Sequence, residues 1–134
     1  MVRRPTDGAA SGAWREVAGM MTLQLQEALH AAQDRKALDL SILDLERTCS
    51  FTSYFLICTG TSARHTQAIC DAIAENLKKK GFTPAHIEGY AQAEWILMDY
   101  LNLVVHIFVE HARQFYDLER LWKNAPRIPI PEQG

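Results

Sequence analysis

The sequence predicts an α/β fold: a mixed five-stranded sheet flanked by helices, with elements in the order α-β-β-α-β-β-β-α. Three observations carry this reading. Residues 54–59 (YFLICT) form a nearly continuous apolar run, which fits a central strand buried on both faces. Gly60-Thr61-Ser62 follows directly and opens a long amphipathic helical pattern. Two more strand-forming runs, residues 94–98 and 103–109, are joined by a tight connection at residues 99–102, giving a hairpin rich in Trp, Ile, Leu, Tyr, Val and Phe.

The first helix is expected from Thr22, a suitable N-cap, to residues 34–36, because Leu25, Leu29 and Ala32 fall at helical spacing with Gln and Glu between them. Residues 38–45 (LDLSILDL) alternate apolar and polar before the alternation shifts at Leu43 and Leu45, and read as a strand. The long helix spans residues 63–80. His65, Ile69, Ile73 and Leu77 line its core stripe, three lysines sit in its last turn where positive charge suits the helix dipole, and Gly81 stops it. A short strand at residues 84–88 follows. It is expected to pair in parallel with strand 54–59 through a right-handed crossover. The final helix is expected over residues 111–122, with Phe115, Leu118 and Trp122 toward the sheet and Tyr116, Glu119 and Arg120 outside.

A chain of 134 residues suits one domain. The expected organisation is a disordered N-terminal tail at 1–20, a folded domain at 21–125 and a flexible C-terminal tail at 126–134, where three prolines oppose regular packing. With 48% hydrophobic and 22% charged residues, the composition is that of a soluble globular protein. The net charge of -2 weighs against wrapping bare nucleic acid, which requires a clustered basic footprint. No run of about 18 apolar residues suggests a membrane span. The three cysteines, Cys49, Cys58 and Cys70, show no CxxC pair and no zinc-like spacing with histidine, in keeping with a reducing cytoplasmic location.

Catalytic chemistry finds little support. Residues 60–65 (GTSARH) place a glycine turn at a helix start, where free N–H groups and the dipole favour an anion. The same residues equally describe a turn, a Ser or Thr cap and a His packed on the sheet. The P-loop pattern is absent. A nucleotidyl transferase needs neighbouring carboxylates for its metal ions, but no Asp-x-Asp pair follows Ser62, and Asp39 and Asp44 point to opposite faces of their strand. No nucleophile elbow surrounds Cys58 or Ser62. The expectation is therefore no catalytic residues, no metal and no cofactor, with a nucleotide-binding or nucleotidyltransferase-like enzyme acting at residues 60–65 as the alternative.

The hairpin carries polar groups that a plain core would not need. Trp95, Leu97 and Asp99 share one face of their strand, while Ile96, Met98 and Tyr100 share the other. On the next strand Leu103, Val105 and Ile107 oppose Val104, His106 and Phe108. Trp beside a charged group is a typical interface anchor.

Three blocks of this chain resemble the Iojap family, the ribosomal silencing factors of bacteria and organelles. The blocks are Ser53-Tyr54-Phe55 through Gly60-Thr61-Ser62-Ala63-Arg64-His65; Glu88-Gly89 with Trp95-Ile96-Leu97-Met98-Asp99-Tyr100 and Val104-Val105-His106-Ile107-Phe108; and Phe115-Tyr116-Asp117-Leu118-Glu119-Arg120-Leu121-Trp122. The resemblance implies a nucleotidyltransferase-like fold without catalytic carboxylates. It also implies binding to the large ribosomal subunit through ribosomal protein number fourteen, steric exclusion of the small subunit, repression of translation, and homodimers in the family. Among the matching positions, strand parity and the last helix select Trp95, Leu97, Asp99, Tyr100, His106, Tyr116 and Arg120 as expected partner contacts. Where family members usually carry Gly after the Asp-Tyr pair, this chain has Leu101. A tight turn with positive φ suits Gly and not Leu, so Asn102 is expected to take that conformation.

Overall fold

The computed structural model describes residues 21–130. The expected N-terminal tail, residues 1–20, lies outside the described residues, as do residues 131–134. The elements are α1 (Leu23–Asp34), β1 (Leu38–Asp44), β2 (Tyr54–Gly60), α2 (Ala63–Lys79), β3 (His86–Glu88), β4 (Trp95–Asp99), β5 (Leu103–Val109), α3 (Glu110–Tyr116) and α4 (Leu118–Leu121). The five strands form one mixed sheet in the order β1-β2-β5-β4-β3.

Local chemistry sets the helix ends. The Thr22 hydroxyl accepts the Leu25 N–H at 3.2 Å and opens α1. At the end of α2, Gly81 N–H donates to Lys78 O and Phe82 N–H to Leu77 O, the paired bonds of a Schellman stop, with Gly81 at φ 91. The Asn76 amide joins α2 to α1 by donating to Glu27 O (2.9 Å) and Glu27 Oε1 (3.0 Å).

The expected parallel pairing is corrected. The parallel neighbour of β2 is β5, with Tyr54 opposite Leu103 and Gly60 opposite Val109, whereas β3 lies at the sheet edge and pairs antiparallel with β4. The reason is burial. A central place requires apolar residues on both faces. Residues 103–108 of β5 are all buried, while β3 is three residues long and exposes His86 and Glu88.

Each sheet face has its own core. Leu56 and Cys58 of β2, Val105 and Ile107 of β5, and Ile96 and Met98 of β4 pack beneath Leu25, Leu29, Ile69, Ile73 and Leu77 of α1 and α2. Burial holds the Cys58 thiol at a pKa of about 12, so it behaves as a small core residue. On the opposite face Leu43, Phe55, Ile57, Val104 and Phe108 pack with Ala112 of α3 and Ala125, while Leu118 and Trp122 cover part of this second core.

The expected single last helix is two short ones. Asp117 breaks it with φ 47, a left-handed conformation that Asp tolerates better than most residues. The break lets Arg113 Nη2 reach Glu119 Oε2 at 2.8 Å, a pair six residues apart that a straight helix would hold on different faces. Arg113 also donates to Thr59 Oγ1 (2.9 Å) and to the Asp39 carbonyl, pinning α3 to β1 and β2. As a result Phe115, expected against the sheet, is 80% exposed, while Trp122 stays in edge contact with Phe55. The C-terminal segment also departs from the expected tail. Pro126 O accepts the Asp44 N–H, Ile128 N–H donates to Ile42 O, and Ile128 is buried.

At the hairpin tip, Leu101 itself takes φ 73, not Asn102. Asn102 N–H donates to Tyr100 O across Leu101, closing a three-residue turn whose positive-φ form is rare and strained. Asp99 Oδ1 accepts the Leu101 N–H at 2.8 Å, and Asn102 O accepts from Ser53 and Tyr54 N–H, so the surroundings enforce the turn. Gly89, at φ 81, has the opposite requirement, because a Cβ there would collide with the Trp95 carbonyl oxygen. Leu101→Gly is expected to raise the denaturant midpoint, by about 0.5–1 kcal/mol of stability, since relief of the left-handed penalty exceeds the added chain entropy. Gly89→Ala is expected to lose at least about 2 kcal/mol in the same measurement.

Candidate docking face

The sheet face opposite α1 and α2 is covered unevenly. Over β1, β2 and part of β5 it lies under α3, α4 and the C-terminal segment. Over β4 and β3 it is open: Trp95, Leu97 and Asp99 are half-buried, and His86 and Glu88 are exposed. Strand parity places these five side chains on one face, and the register sets Trp95 opposite Phe108 and Leu97 opposite His106.

An aromatic cluster borders the open area. The Trp95 ring stacks on Phe108 at 5.1 Å between centroids and meets Tyr116 at 4.5 Å. Tyr116 in turn meets the edge of Phe115 at 5.0 Å. The Trp95 indole N–H donates to His106 Nδ1 at 3.1 Å. That bond makes His106 the neutral tautomer protonated on Nε2. Burial drives its pKa down to about 4. The rim is polar and carries two carboxylates: His86 Nε2 lies 3.2 Å from Glu88 and 3.7 Å from Asp99.

The contact residues expected from sequence divide into three groups. Trp95, Leu97 and Asp99 share the open face, and Tyr116, 46% exposed, borders it. Arg120 is exposed on α4. Two residues stand apart. Tyr100 is 5% exposed and packs in the core beneath α1 and α2, where burial raises its pKa to about 12. It follows Met98 in parity and so points away from the open face. His106 is 3% exposed and lies beneath the face, hydrogen-bonded to Trp95. Sequence reasoning missed Phe108 as the floor beneath Trp95 and His86 and Glu88 as the rim. Parity assigns Phe108 to the His106 side, but cross-strand neighbours require the hairpin register, which the unusual turn at Leu101 concealed.

Beneath α3, Glu119 is the main acidic group. Burial alone would raise its carboxyl pKa. The hydrogen bond and charge of Arg113, the charge of Arg127 and a Ser41 hydrogen bond outweigh that and hold it below the ordinary value. This network is structural and faces away from Trp95 along the sheet, toward β1.

The helix start at residues 60–65 is engaged within the chain. Ser62 Oγ accepts the His65 N–H at 3.1 Å, the cap expected of it. His65 Nδ1 accepts the Thr61 N–H at 2.9 Å, so its Nε2–H donates to Arg35 O at 2.7 Å. His65 thus ties the start of α2 to the end of α1 and does not join the core stripe.

These features define a class: a one-sheet α/β protein with one face sealed by helices and an aromatic, half-open second face. Residues 20–134 match the model of the family described as "Ribosomal silencing factor during starvation". The chain is 38% identical over 102 residues to the ribosomal silencing factor RsfS of Bacillus subtilis, covering 76% of this chain and 86% of that one. It is 36% identical over 106 residues to the factor of the same name from Halalkalibacterium halodurans, covering 79% and 91%. A crystal structure of a Chromobacterium violaceum protein superposes with a TM-score of 0.74 at 29% identity, covering 85% of this chain and 95% of that one. The chain belongs to the ribosomal silencing factor family.

The buried neutral His106 makes stability depend on pH. Below pH 6.5 the unfolded chain takes up a proton that native His106, near 4, refuses, so stability falls as pH drops through that window, by on the order of 3 kcal/mol. Glu119, its native pKa depressed, adds a loss in the same direction at lower pH. Chemical denaturation between pH 7 and pH 4 checks this: His106→Leu is expected to flatten the upper part of the decline, and an unchanged slope would contradict it.

Proposed function

We propose that this protein silences the ribosome without being an enzyme. It docks on the large subunit through the open half of the second sheet face, takes ribosomal protein number fourteen as its partner, and blocks joining of the small subunit, so repressing translation in the cytoplasm. Family membership supports ribosome-associated silencing. The observation that carries the docking face is Trp95, a half-buried indole held by a stacked ring and a hydrogen bond beside open sheet. Rigid, partly exposed Trp and Tyr beside polar groups supply interface anchors at small entropic cost. Trp95, Leu97, Asp99 and Tyr116 make the contact, with Arg120 at its margin and His106 beneath. Tyr100 contributes through the fold only.

Nucleotide chemistry at residues 60–65 gains no supporting observation, since Thr61 N–H, Ser62 Oγ and both His65 ring nitrogens are already used. Homodimers, implied by the family resemblance, have the same open face and the β3 edge available, and sedimentation over a concentration series reads them out.

Purified large and small subunits mixed with saturating protein should fail to join in sedimentation. Undiminished joining would sink the proposal. Trp95→Ala, which removes the anchor, is expected to weaken binding by about 30-fold, the equivalent of a 2 kcal/mol hot spot, and to restore joining while the protein stays folded.

A further inference from the structure

His106 is an expensive residue for the fold. It sits in the middle of a strand whose neighbours are all apolar, and its ring is packed against Phe55 at 4.5 Å between centroids. Because Nδ1 accepts the Trp95 indole N–H, the ring proton is on Nε2, and that buried nitrogen has no hydrogen-bond partner among the described residues. A buried donor left unpaired carries its full desolvation cost. An aliphatic side chain of similar size would be cheaper here, so stability does not account for the imidazole.

What the imidazole supplies is direction. Phe108 stacks on the Trp95 indole and Tyr116 tilts against it, which together fix the plane of the ring system. A half-turn about χ2, a torsion with broad two-fold preferences, keeps the ring plane that the stacking fixes while carrying the N–H and the six-membered ring to opposite sides. The two flips expose different edges of the indole to a partner. Only one points the N–H at His106.

We infer that His106 is a positioning residue of the docking face: its Nδ1 lone pair selects one flip of the Trp95 indole and thereby presents a single indole edge to the ribosomal partner. This rests on the docking proposal above. His106 makes no partner contact itself, in keeping with its burial.

Three variants test the inference. His106→Leu removes the acceptor and keeps the bulk. It is expected to stay folded, to shift the Trp95 indole ¹H–¹⁵N resonance upfield with faster hydrogen exchange, and to bind purified large subunits about 5-fold more weakly, the effect of one lost hydrogen bond. His106→Asn places an amide oxygen near the former Nδ1 and is expected to recover both the resonance and the affinity to within about 2-fold. Trp95→Phe leaves His106 and the stack in place but has no N–H. It should lose at least as much affinity as His106→Leu, because the presented indole edge goes with the N–H, and adding His106→Leu to it should cost nothing further. An unmoved indole resonance in His106→Leu overturns the positioning role, whatever the ribosome does. So does an equal affinity loss from His106→Leu in the wild-type and Trp95→Phe backgrounds. If Trp95→Ala binds like wild type, the docking face is wrong, and the indole resonance then reports on the hydrogen bond alone.

Discussion

The fold depends on β5 being buried on both faces. It is the parallel partner of β2 and the antiparallel partner of β4, so it is flanked by strands on both sides. Its alternating side chains feed two cores at once: Leu103, Val105 and Ile107 beneath the helices, Val104 and Phe108 on the other side. A strand in that position cannot shift by one residue without exchanging its two faces. The other elements are arranged around this constraint. The amphipathic α1 and α2 seal one side, and the bent α3–α4 unit with the C-terminal segment half-seals the other.

The incomplete seal gives the second face its character. Helical cover ends over β5, and β4 and β3 carry the sheet on into solvent. At that boundary the chain places Trp95, anchored from below by Phe108 and His106 and from the side by Tyr116. The apolar centre and the polar rim of Asp99, His86 and Glu88 resemble the core-and-rim build of protein interfaces. A rigid sheet presents such a surface with little reorganisation, whereas a loop would have to be ordered on binding. The second face and the family membership thus fit together.

Much of this was legible in the sequence, because it rests on periodicity. The apolar run at residues 54–59 identified a doubly buried strand, the stripe Ile69, Ile73 and Leu77 identified the face of α2, and parity separated Trp95 from Ile96 correctly. Long-range pairing was the weak point. Proximity along the chain favoured the strand after α2 as the partner of β2, but burial gave that place to β5, whose run of apolar residues is longer. The break at Asp117 was hidden for a similar reason: helical spacing from Phe115 to Trp122 is continuous on paper, whereas the left-handed backbone of Asp117 interrupts it and the Arg113–Glu119 pair spans the bend. Leu101 defied a residue preference that holds for most turns, since three surrounding hydrogen bonds impose the left-handed backbone. Tyr100 shares the parity of Ile96 and Met98, so the strand carries it into the core beneath α1 and α2 and away from the open face.

One consequence concerns the far side of the sheet. Pro126 and Ile128 exchange backbone bonds with Asp44 and Ile42, so the last described residues lie along the outer edge of β1 like a short guard rail. An exposed edge strand is a template for unwanted pairing with other chains. A recombinant version cut back at Ala125 would strip that guard and invite aggregation. A purification handle belongs downstream of Ile130.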